Sequence, residues 1–114
     1  MLESVLHNAF KIYKKYRKIT TPIKGKKYNL WVADTPQKKT LGLSPLSSLP
    51  RGWGMIFTYD NDVNHGFTMA KTKIPLTIIF LDKSFNIVDA FKCRPGQQGS
   101  IKPENKNYRY VIEI

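Results

Sequence analysis

The chain has 114 residues, a length that bounds it to one domain, because chains of about 100–200 residues usually close around a single core. Its one cysteine, Cys93, excludes an internal disulfide and any multi-cysteine metal site. Nineteen Lys and Arg against eight Asp and Glu leave a net charge of +11, and no apolar run approaches the roughly 18 residues of a membrane span.

The excess charge is uneven. Residues 1–30 hold Lys11, Lys14, Lys15, Arg17, Lys18, Lys24, Lys26 and Lys27, with Glu3 the only acid, so +7 of the +11 lies there. Within residues 1–10 one short apolar cluster is followed by lysines, not by the apolar core of a secretory signal. The expected location is therefore cytoplasmic, or within an intracellular or viral assembly.

In chain order, Leu2, Val5, Leu6, Ala9, Tyr13 and Tyr16 recur at three- and four-residue steps. That period predicts an amphipathic helix of roughly four turns, ending before Thr20, Thr21 and Pro22. The chain accordingly divides into a basic N-terminal helix over 1–22 and a β-rich domain over 23–114. Lys11, Lys14, Lys15 and Lys18 fall on the face opposite the apolar stripe, with His7. They are a solvated helix face, or a contact for nucleic acid or phospholipid, or the outer side of a helix whose apolar stripe docks on a partner. A nucleic-acid contact of this kind is salt-sensitive and blind to sequence. Tyr13 and Tyr16, on the apolar side, are poor base-stacking platforms.

Tyr28–Ala33 reads as a strand. Asp34-Thr35-Pro36 reads as a helix start, with Asp or Thr as cap and Pro36 in the first turn. The helix is short, because Gly42, Pro45, Pro50 and Gly52 punctuate the next segment. Trp53–Tyr59 is a second strand, Asp60-Asn61-Asp62 a turn, and Gly66–Met69 a brief third strand. Leu76–Leu81 is a buried strand by its near-continuous apolar run. Lys83-Ser84 turns into a strand over Phe85–Cys93, Arg94–Asn107 is a polar loop, and Tyr108–Ile114 is the last strand. Six strands, a leading helix and one short internal helix make an α+β domain. Tight turns between consecutive strands make the pairing mostly antiparallel.

The order WVADTPQKKTLGL, GMIFTY, FTMAKTKIPLTIIFLD and YVIEI resembles the bacterial and archaeal family called domain of unknown function 192, over about residues 28–114. That family's pattern runs Ala-Asp-Thr, Gly-Leu-Met, Gly-Met-Leu-Phe, Trp-Met-Lys-Asn-Thr-x-Ile-Pro-Leu-Asp and Tyr-Val-Leu-Glu. Ala33, Asp34, Thr35, Gly42, Leu43, Gly54, Met55, Phe57, Met69, Thr72, Ile74, Pro75, Leu76, Tyr110, Val111 and Glu113 agree with it. Ser44 replaces Met, Thr68 replaces Trp, Lys71 replaces Asn, and Thr77 replaces Asp. The resemblance implies a compact, mostly β, barrel-like fold and no particular activity. Relatives commonly continue with a further strand pair. Its absence here would leave Tyr108–Ile114 as an open β-edge that a partner strand could complete.

The chemistry-bearing residues are few. Asp34 reads as a capping residue, less readily as a ligand carboxylate; Thr77 removes the second acid that paired acid–base chemistry needs. Asp60 and Asp62 read as turn residues, because DNDVN lacks the length and closing Glu of a calcium loop. His65 reads as a surface or edge residue, and Met55 and Met69 as core or pocket fillers. The turn Met69–Lys73 could line a small pocket with Gly42 and Gly54, and Lys71 would make it suited to carboxylate or phosphate. The candidate ligand-binding set is thus Asp34, Gly42, Gly54, Met69, Lys71 and Thr72. No catalytic set, metal site or cofactor motif is read. The first functional expectation is a non-enzymatic structural or interaction module in a larger assembly, such as a phage particle. The alternatives are a basic nucleic-acid-binding accessory protein and a domain binding a small anionic ligand or carbohydrate.

Overall fold

The structure, a computed structural model, describes residues 2–114, with side chains from His7 onward. It contains α1 (Leu2–Ile12), β1 (Lys18–Ile23), β2 (Lys26–Ala33), α2 (Pro36–Leu41), β3 (Trp53–Val63), β4 (Leu76–Leu81), β5 (Ile87–Cys93) and β6 (Tyr108–Glu113). The strands form one sheet in the order β1-β2-β3-β6-β4-β5. All neighbouring pairs are antiparallel except β2 and β3, which run parallel. Parallel neighbours cannot be joined by a hairpin, and α2 with its adjoining loop makes the crossover between them.

The sheet is mixed and open. β1 and β5 each have a neighbour on one side only, so the barrel-like closure implied by the family resemblance is absent. The expected open edge at the last strand is also absent. β6 lies between β3 and β4, pairing Met55 with Glu113 on one side and Ile78 with Glu113 on the other.

Three local features differ from the sequence expectation. The helix expected over four turns stops at Ile12, Tyr13–Lys15 form a turn, and Lys18 opens β1. β1 was hidden because its turn to β2 is Lys24-Gly25, with φ of 50° and 80°. Two positive φ values make the hairpin turn whose twist suits the strands, but Lys is not a usual signal for the first of them. The expected turn Asp60-Asn61-Asp62 lies inside β3, where pairing with β6 shifts between Thr58 and Val63; Asp62 accepts from Arg109 Nε at 3.1 Å. Finally, Gly66–Met69 is not a strand. Phe67 alone makes an antiparallel bridge, to Ile101.

Strand side chains alternate between faces, and two apolar clusters result. Leu30, Val32, Ile56, Ile79, Leu81 and Ile112 form one. The larger, on the other face, includes Trp31, Met55, Phe57, Ile78, Phe80, Tyr108 and Val111, together with Ala9 and Tyr13. The N-terminal segment therefore packs on its own domain. Phe10 meets the Trp53 ring edge-on at 4.9 Å, and Trp31 stacks between Trp53 and Tyr13, each with centroids at 4.7 Å.

Candidate functional site

On the face of the larger cluster the fold leaves a cleft of about 440 Å³. One wall is the end of α2, from Lys39 to Gly42, continuing to Ser44; the other is the loop from His65 to Thr72. Phe57 and Tyr59 of β3 contribute apolar surface, and Glu113 of β6 closes the floor.

Each wall is held by hydrogen bonds that local sequence explains. Thr35 caps α2 by accepting from the Lys38 N–H at 3.2 Å, with Pro36 in the first turn. Gly42 ends the helix at φ 51°, its N–H donating to the Lys38 carbonyl at 2.9 Å; a glycine suits this left-handed position. The Tyr13 hydroxyl then donates to the Gly42 carbonyl at 2.7 Å. On the opposite wall the Tyr108 hydroxyl donates to the His65 carbonyl at 2.5 Å. Phe67 and Ile101 exchange two backbone bonds of 2.8 Å, and Gly96 N–H lies 3.1 Å from both the Met69 and Thr72 carbonyls.

Glu113 is 6% exposed and is the one buried acidic or basic side chain among the described residues. It shares a strand face with Val111, and its cross-strand partners are Met55 and Ile78, so its surroundings are apolar. Burial alone pushes its carboxyl up to about 8, with no charge partner or hydrogen bond to offset it. Burial, and then the charge of Glu113, push Tyr59 up to about 12. Tyr13 and Cys93 are likewise pushed up by burial first, with Glu113 adding to the effect. At the rim Lys39 Nζ sits 3.9 Å from the centre of the Tyr59 ring, a cation–π contact. Lys71 is exposed. Among the described residues neither lysine is in a salt bridge.

Three of the six expected ligand-binding residues, Gly42, Lys71 and Thr72, line this cleft. The other three do not. Asp34 accepts from Arg17 Nη2 at 2.8 Å and lies 3.5 Å from Lys38 Nζ; the Arg17 bond holds its carboxyl below the usual carboxylate range. Gly54 lies in β3 beside the end of β6, where a Cβ would collide with the Glu113 carbonyl and with Ile114 Cγ2. Met69 is fully buried in the core. Lys11, Lys14, Lys15 and Lys18 are exposed but spread over α1, the turn after it and β1, and none lines the cleft. Sequence reasoning missed Glu113, Lys39 and Tyr59. A signal for Glu113 was available: within YVIEI it stands in phase with Val111, on the inward side.

Cys93 is buried and lies outside the cleft, so it has no nucleophile's exposure. Among the described residues no group of three or more His, Cys, Asp or Glu could hold a metal ion, and no helix is long and apolar enough to cross a membrane. The arrangement offers a donor-rich mouth, apolar walls and one buried carboxyl.

The sequence pattern of the family DUF192, described as "Uncharacterized ACR", matches residues 19–114. No curated protein matches the chain. Two crystal structures share the fold. One, from Sinorhizobium meliloti 1021 and described as a candidate transcription regulator, superposes with a TM-score of 0.74 at 21% identity, over 87% of this chain and 81% of its own. The other, a protein of unknown function from Novosphingobium aromaticivorans DSM 12444, gives 0.69 at 21% identity, over 90% and 83%. At such identities the likeness speaks to the fold alone.

Proposed function

The chain belongs to the DUF192 family, and from that premise we propose that it is a small-molecule-binding domain whose site is the cleft between α2 and the His65–Thr72 loop. The observation that carries this reading is Glu113, a 6%-exposed carboxyl on the floor of a cleft. A largely buried carboxyl with no hydrogen-bond or charge partner in the protein costs stability, and its place in the cleft lining lets a ligand supply that partner. The cleft is also of ligand size, since small-molecule sites occupy about 300–1,000 Å³ with apolar walls and a few polar groups. Lys39 and Lys71 at its mouth give it a preference for anions. The alternative of an assembly module has less physical support than the sequence suggested, because β6 is paired on both sides.

Thermal denaturation with a panel of small carboxylates, sugars, phosphates and nucleotides tests the reading. A ligand that binds the native state raises the midpoint. Small anions should raise it, and the effect should shrink in a Lys71→Glu variant, whose exposed side chain the core does not need. A flat response to every anion would overturn the proposal.

A further inference from the structure

The cleft's donors are side chains. The backbone N–H groups of Gly42, Ser44, Phe67 and Thr72 bond to Lys38, Leu41, Ile101 and Met69 carbonyls, and that of Ala70 bonds to Thr68 Oγ1. A nest of free backbone N–H groups, the usual cradle for a phosphate, is therefore largely missing. A cationic ligand is also disfavoured, because Lys39 already covers the Tyr59 ring and Lys71 adds a second positive charge. The Phe57, Tyr59 and Phe67 walls suit an apolar body.

Resting on the small-molecule reading above, we propose that the ligand is a small organic carboxylate with an apolar body, its carboxylate hydrogen-bonded to the Glu113 carboxyl on the floor and drawn into the cleft by the positive field of Lys39 and Lys71 at the mouth. Two carboxylates in one buried site cannot both be ionised, so they share a proton. Glu113 is the group that holds it, since burial raises its carboxyl to about 8 and keeps it mostly neutral at pH 7. Binding is then coupled to protonation, and the cleft loses its ligand as Glu113 ionises. Several other titratable or charged groups face this carboxyl. Tyr59 on β3, Tyr13 after α1 and Cys93 on β5 sense its charge. Lys39 on α2, with His65 and Lys71 on the loop, lines the same cleft.

Benzoate serves as the probe, with benzylammonium and benzyl alcohol as charge controls, and binding is monitored by NMR at the Gly42, Phe67 and Thr72 amides. The window from pH 7 to 9 lies above the ordinary histidine range and below the ordinary lysine range. Across it the binding-competent fraction falls, so the apparent Kd for benzoate should rise about tenfold. Glu113→Gln keeps a hydrogen-bond donor without an ionisation, and its Kd should stay flat. Should that variant fail to fold, calorimetry of the unmodified chain at pH 8 in two buffers of different ionisation heat provides a second readout. It should show uptake of about half a proton per benzoate. Benzoate binding that is level from pH 7 to 9 without proton uptake, or tighter binding of benzylammonium, overturns this inference and leaves the small-molecule reading standing. No binding by any small anion at pH 7 overturns both.

Discussion

The Tyr13 hydroxyl donates to the Gly42 carbonyl at 2.7 Å across 29 positions of sequence, in a buried setting. This bond joins the N-terminal segment, which begins before the family-matched residues 19–114, to the wall of the cleft. Gly42 ends α2 in the left-handed region with φ 51°, and Tyr13 gives its carbonyl a partner that the helix no longer supplies. Tyr13→Phe keeps the ring in its place against Trp31 but orphans that carbonyl. Urea unfolding should show a loss of about 1–2 kcal/mol with an unchanged slope.

Glu113 gives stability a particular pH dependence. Its carboxyl ionises at about 8 in the native state, against an ordinary value of 4.5. Between those values the folded chain holds a proton that the unfolded chain has released. Stability from this group is therefore full below pH 4.5, falls as pH rises and levels off above about 8. At about 1.4 kcal/mol per pH unit the full span is on the order of 4–5 kcal/mol. Glu113→Gln should remove this slope and stabilise the chain at neutral pH. Urea midpoints of both proteins from about pH 5 to 9 check it.

Gly54 tolerates no side chain. A Cβ there would meet the Glu113 carbonyl and Ile114 Cγ2, so two central strands would have to part. Gly54→Ala should cost roughly 3 kcal/mol by overpacking, read as a lower urea midpoint. The glycine supports the cleft floor by letting β3 lie close to β6, and the variant should weaken ligand binding only as far as it unfolds the chain.

Asp34 should prove structural and minor. Its partner Arg17 has a side chain 72% exposed, and exposed pairs contribute under about 1 kcal/mol. Because Arg17 lowers the Asp34 carboxyl, that small contribution is present at neutral pH and is lost as pH falls through the native value. Asp34→Asn should leave benzoate binding unchanged, since the residue does not line the cleft. A large loss of binding would move the site towards Asp34.

Much of the fold was legible in the sequence, and the misses have identifiable causes. Thr35 and Pro36 announced α2, and the apolar run Leu76–Leu81 announced a buried strand, because caps and runs are local signals. β1 was concealed by Lys24 in a left-handed turn position and by a helical period that continues in the sequence through Tyr16. The parallel pairing of β2 with β3 and the interior place of β6 are long-range choices, set by which faces can be buried together. The site was half visible for the same reason. Gly42, Lys71 and Thr72 belong to turns with local patterns, whereas Glu113 joins the cleft lining only when β6 inserts between β3 and β4.

The most direct measurement is a carbon-detected NMR titration of the Glu113 side-chain carboxyl in the native chain. Its resonance should stay at the protonated position through about pH 6 and move with a midpoint near 8. A midpoint in the ordinary carboxylate range, between about 4 and 5, would mean that the floor of the cleft is wet and its carboxyl charged, and the proposed neutral acid would be absent.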